Sequence, residues 1–121
     1  MKLWIDDIRP APEGYVWVKS VNEAKNIITD YLALFHKIGR SKSEFDFRVC
    51  DNVLKTLMDS EIIDIDHDAG EYVKDGGDYI KLLDWLEDMN MNSFPIHIHS
   101  QNPVGVENMR RIIHKNGWKE I

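Results

Sequence analysis

The sequence predicts an α/β protein: a doubly wound, mostly parallel, five-stranded sheet of order 2-1-3-4-5 with helices on both faces. Three observations lead there. Short apolar runs alternate with stretches of helical period along all 121 residues. Two of the runs end in aspartates, at Asp6-Asp7 and at Asp66-His67-Asp68. A third ends in His99-Ser100-Gln101-Asn102 and is followed at once by Pro103. In open parallel sheets, ligands bind outside the carboxyl ends of the strands, where these polar groups fall.

Taken in order, Lys2–Ile5 is a short buried strand closed by two carboxylates. Residues 9–14 hold Pro10, Pro12 and Gly14 and form a loop. Residues 15–18 are aromatic and β-branched, a second strand. The loop before it is short for a parallel crossover. Either it returns as an extended link without a helix, or the second strand runs antiparallel. Ser20 and Glu23 form a capping box. Behind it Ala24, Ile27, Ile28, Tyr31, Leu32 and Leu34 mark a helix to about Phe35, closed by Gly39.

Residues 36–60 are expected to be an insertion, with strand-like alternation at Phe45, Phe47 and Val49 and a short helix around Val53 to Met58. Residues 62–68 make the third strand, residues 70–77 a loop and residues 78–89 an amphipathic helix. Residues 94–99 make the fourth strand. Asn102 caps a helix that runs from Pro103 to about Lys115. Gly117 stops it, and residues 118–121 form a fifth strand.

Composition narrows the function. The length suits one domain, residues 1–121. With 43% apolar and 30% charged residues the chain folds as a soluble globule. No apolar run spans a bilayer, and Asp6 and Asp7 break the first one too early for a signal peptide. The single cysteine, Cys50, leaves no intramolecular disulfide, so a cytoplasmic protein without a membrane partner is expected. The net charge of -6 argues against extended duplex binding, which needs a basic face. A small anionic substrate held through a metal ion is compatible with it.

Asp6, Asp7, Asp66 and Asp68 are the candidate metal ligands. Carboxylates converging at one cleft repel each other unless a cation neutralises them. Oxygen ligands favour a divalent cation of the Mg²⁺ or Mn²⁺ kind, with Ca²⁺ next. Taken singly, each could be a turn or cap aspartate. His67, between two acids, and His97 and His99, on one face of the fourth strand, are the proton-transfer candidates. They could equally be core histidines, or nitrogen ligands in a His-plus-carboxylate transition-metal site. Ser100, Gln101 and Asn102 share a rim with a helix N-terminus, a ready anion site. Arg9 could reach a phosphate or pair with Asp6 or Asp7. Trp4, Trp17, Trp85 and Trp118 read as core residues.

Trp4-Ile5-Asp6-Asp7-Ile8-Arg9-Pro10, Asp66-His67-Asp68-Ala69-Gly70 and residues 97–105 (HIHSQNPVG), followed by Asn108-Met109, resemble the cyclic-phosphate processing receiver-like family. This is a divergent branch of the response-regulator receiver domain, found in bacteria and phages. The resemblance covers residues 1–35 and 61–121 and implies a receiver or flavodoxin-like fold, from which this sequence departs in having its first and last helices reduced. It also implies that Asp6 and Asp7 match the receiver's metal-binding pair, Asp66 its acceptor aspartate and Ser100 its hydroxyl. Ala69 replaces a usual leucine. No lysine resembles the receiver's phosphate-contacting one, and the three histidines are chemistry that receivers lack.

Two functions follow from these expectations. One is a metal-dependent phosphoesterase acting on a cyclic phosphate, or on a phosphorylated nucleotide or nucleic-acid end. Asp66, His67 and His99 would be catalytic, and Arg9, His97, Ser100, Gln101 and Asn102 would hold phosphate. The other is a non-catalytic module that sequesters a nucleotide or docks a protein partner.

Overall fold

A computed structural model of the chain describes residues 1–40, 61–91 and 94–121, with the backbone alone for 35–40. The strand and helix expected around Phe45 to Met58 lie outside the described residues. Four strands form one parallel sheet of order β2-β1-β3-β4: β1 (Lys2–Ile5), β2 (Val16–Val18), β3 (Ile62–Ile65) and β4 (Ile96–Ile98). The helices are α1 (Val21–Arg40), α2 (Ile80–Asp88) and α3 (Pro103–Lys115), with a short 3-10 turn at Gly70–Lys74. The fold is the receiver-like α/β arrangement. No helix of the described residues is long and apolar enough to cross a membrane.

β2 is parallel to β1, so the proline-rich loop returns as an extended link without a helix. Two indoles pin it. Trp4 Nε1 donates to the Arg9 carbonyl at 2.9 Å, and Trp17 Nε1 to the Asp6 carbonyl at 2.8 Å. The Ser20 cap forms as expected: its Oγ accepts from Glu23 N at 3.1 Å, while the Glu23 carboxylate reaches back to Lys19 N at 3.2 Å. Gly39 does not close α1, which continues to Arg40. One glycine in a long helix costs only about 1 kcal/mol, too little to end it. The fifth strand is reduced to a single parallel bridge between Ile96 and Glu120. There Ile96 N donates to the Lys119 carbonyl and Ile121 N to the Ile96 carbonyl.

The connections carrying α1, α2 and α3 all cross the sheet in the same direction. Right-handed crossovers therefore place all three helices on one face. The core agrees: Leu3, Ile5, Val18, Ile63, Ile65 and Ile96 pack with Val21, Ala24 and Ile28 of α1, Leu82, Leu83 and Leu86 of α2, and Met109 and Ile113 of α3. The first and last helices, reduced in the expectation, are absent among the described residues. They are the ones that would cover the opposite face, so that face carries no described helix. Residues in register across it are Trp17, Trp4, Asp64 and His97. Trp4 and Trp17 are therefore half-buried on a polar and aromatic face, not in the core. Trp118 is buried in the core and Trp85 packs against it.

Candidate active site

Asp6, Asp66 and His99 each stand one residue beyond a strand, on three neighbouring parallel strands. The ladder continues through them: Asp66 N donates to the Ile5 carbonyl at 2.9 Å and His99 N to the Ile65 carbonyl at 3.0 Å. Their side chains converge, with one potential ligand atom from each lying within 4.8 Å of the others. Asp6 is 1% exposed. Its Oδ1 accepts from the backbone N–H of Ile8 and of Arg9, both at 2.8 Å, and its Oδ2 lies 3.0 Å from His99 Nε2. Burial pushes the Asp6 carboxyl up, but the Arg9 and Ile8 amides and His99 outweigh it and hold it below the usual range.

Asp64, inside β3, was not among the sequence candidates and belongs to this site. Its Oδ1 lies 2.6 Å from His99 Nδ1 and 2.9 Å from His97 Nδ1. Its carboxyl is also held low, burial being overcome by the two imidazoles. A sequence signal was present: Ile63 and Ile65 take the core face, so Asp64 must share the other face with Asp66 and with His97 and His99. His99 lies between two carboxylates, one at each ring nitrogen. The ring satisfies both either as a two-donor imidazolium or as a neutral imidazole with a cation beyond Nε2. Trp4 stacks on it, ring centroids 3.9 Å apart.

Asp7 and Asp68 stand beside this group rather than in it. The Asp7 carboxylate rests against the Gly70 backbone, where a Cβ would collide with Oδ2, and Gly70 has φ +55°. Burial, then the charges of Asp6, Asp66 and Asp68, push the Asp7 carboxyl up. Asp68 is paired with His67 through Oδ1 and Nδ1 at 2.8 Å. The His67 ring packs flat on Gly105 in the first turn of α3, where a Cβ would enter the ring. Among the described residues His67 Nε2 has no hydrogen-bond partner, and the side chain is 15% exposed.

The expected phosphate-binding residues divide. Asn102 is committed elsewhere: Oδ1 caps Gly105 N at 3.0 Å and Nδ2 faces Asp68 at 3.3 Å. Because Pro103 has no N–H and Gly105 N is capped, the α3 N-terminus offers an anion little beyond the Val104 amide. Ser100 Oγ accepts from Asn102 N at 3.1 Å, which leaves its own proton free to donate. Gln101 is exposed and contributes no described contact. Arg9 pairs at 3.9 Å with Asp6 and donates to the His99 carbonyl at 3.3 Å, while its side chain stays 45% exposed. His97 is 46% exposed, so it is not a core histidine: its face of the sheet carries no described helix.

The donors fit a divalent cation. Two carboxylates and one imidazole converge from rigid strand ends, and two of the three are nearly buried. They can equally hold phosphate through such an ion. No curated protein and no solved structure matches the chain. The family model of the cyclic-phosphate processing receiver domain matches residues 1–115, which spans every motif of this rim. With that match over a receiver-like sheet, the chain belongs to the cyclic-phosphate processing receiver family.

Proposed function

We propose that this protein is a metal-dependent phosphoesterase that opens a cyclic phosphate, or acts on a phosphorylated nucleotide or nucleic-acid end. The observation that carries this reading is the convergence of Asp6, Asp66 and His99 at three adjacent strand ends. Bound there, a divalent cation would polarise the phosphoryl group and neutralise charge developing on its oxygens.

The chain's own residues supply the rest. In hydrolysis of a cyclic phosphate, a water oxygen joins phosphorus as one ring P–O bond breaks. The water loses a proton and the departing oxygen gains one. His67 is suited to move that proton, because Asp68 holds Nδ1 and leaves Nε2 free. His99, with a carboxylate at each nitrogen, is better suited to hold the ion than to exchange protons with substrate. The Ser100 hydroxyl and the Arg9 guanidinium are the donors at the rim for phosphate oxygens.

The test is turnover of a 2′,3′-cyclic nucleotide and of a cyclic-phosphate-ended RNA, with divalent metal and with chelator. Metal-dependent ring opening is expected, and His67→Ala should lower it about 10²- to 10⁴-fold while the fold is kept. Tight nucleotide retention without turnover would instead identify a sequestering module.

A further inference from the structure

Asp64 lies back from the strand-end rim, yet among the described residues its carboxylate hydrogen-bonds to two imidazoles. A carboxylate that accepts Nδ1–H fixes the histidine tautomer and turns the Nε2 lone pair outward, as is usual for histidines that bind metals. Here Asp64 Oδ1 is 2.6 Å from His99 Nδ1, and His99 Nε2 stands 3.0 Å from Asp6 Oδ2. Two ligands about 2.1 Å from one ion and at right angles to each other stand about 3.0 Å apart, so this pair is already spaced as neighbouring ligands. Trp4 fixes the ring plane, with 2° between the two rings. His97 shares Asp64 Oδ1 but lies outside the converging group.

We infer that Asp64 is a positioning residue that makes His99 a nitrogen ligand, and that the site therefore takes a first-row transition cation in preference to Mg²⁺ or Ca²⁺. The inference rests on the proposed metal-dependent reading of the same site and specifies its cation. Mg²⁺ demands oxygen ligands and keeps much of its water, whereas imidazole suits the transition ions. Three carboxylates alone would accept Mn²⁺ as well as Mg²⁺, so what marks the imidazole is nitrogen bonded to the ion.

The test uses the full chain, stripped with chelator and titrated with Mn²⁺ against competing Mg²⁺. Pulsed electron paramagnetic resonance then reads ¹⁴N coupling to the bound Mn²⁺. The wild type should show the coupling, and His99→Gln should lose it and bind Mn²⁺ more weakly. Asp64→Asn should weaken Mn²⁺ about 10- to 100-fold and leave Mg²⁺ nearly unchanged, with Asp64→Glu recovering part of the loss. Mn²⁺ bound without nitrogen coupling in the wild type would overturn the inference while leaving an oxygen-ligated metal site standing. Failure of the wild type to bind any divalent cation would overturn both this inference and the proposed function. The wild-type spectrum decides the matter even where a variant fails to fold.

Discussion

Trp4 and His99 lie face to face across the sheet, centroids 3.9 Å apart and planes within 2°. They come from β1 and from the end of β4, with β3 between them. Asp64, the β3 residue in register with Trp4, hydrogen-bonds to the imidazole. The same indole donates to the Arg9 carbonyl, so one side chain sets both the His99 ring plane and the loop that follows Asp6.

Replacing Trp4 should therefore affect the ion more than the fold. Trp4→Phe keeps an aromatic face but loses the indole N–H. Trp4→Leu loses both, including a ring pair worth about 0.5–1.5 kcal/mol. The metal-dependent rise in melting temperature should fall modestly in the first and largely disappear in the second. Equal shifts in wild type and both variants would show that the ring plane does not matter.

Gly105→Ala tests the packing of His67. In an ordinary helix this change is favourable by about 1 kcal/mol. Here the new Cβ enters the His67 ring. We expect the opposite sign, a loss of about 1–3 kcal/mol from overpacking, and turnover reduced as in His67→Ala. A melting curve and a cyclic-nucleotide assay on the same sample decide it. A rise in melting temperature with full activity would mean that His67 moves aside freely.

The legible parts of the fold were those where local chemistry and burial agree. Asn102-Pro103 announced α3, Ser20 and Glu23 announced α1, and the apolar runs located β1, β3 and β4. Asp6 and Asp66 could be placed together because parallel strands bring their carboxyl ends to one rim. The misread residues depended on what covers the sheet. Trp4 and Trp17 read as core because a sheet with helices on both faces covers an apolar residue on either side. Only the absence of described helices on the second face decides otherwise. Asp64 was hidden for a different reason: reading residues 62–68 as an apolar strand closed by carboxylates draws attention to its end and away from the alternation that separates Ile63 and Ile65 from Asp64 and Asp66. Gly105 carries no sign in the sequence that an imidazole lies on its Cα.

The metal prediction concerns Asp66. A ligand that binds only the native state stabilises it by about 2.7 kcal/mol at a free concentration one hundred times Kd. Thermal melts of the wild type should rise with Mn²⁺ and return to baseline with chelator. Asp66→Asn should remove most of the rise, because it takes one of the two negative charges from the group. A wild-type melting temperature insensitive to millimolar divalent metal would make these carboxylates structural.

Glu61, just before β3, gives a prediction independent of the site. It is 3% exposed, and its Oε2 is buried without a hydrogen-bond partner among the described residues. Burial pushes its carboxyl up, only partly countered by the Tyr31 hydroxyl and the amino-terminal charge. With the folded pKa above the unfolded one, the native state binds more protons between the two values, so stability falls as pH rises through that window. Each unit of displacement is worth about 1.4 kcal/mol. Glu61→Gln keeps the shape and removes the charge. It should be more stable than the wild type at neutral pH, and the advantage should shrink as pH falls toward the ordinary glutamate range, where both side chains are neutral. Urea melts of the two proteins across that range measure the difference. A gap that is constant with pH would show that the Glu61 charge is not what the native state resists.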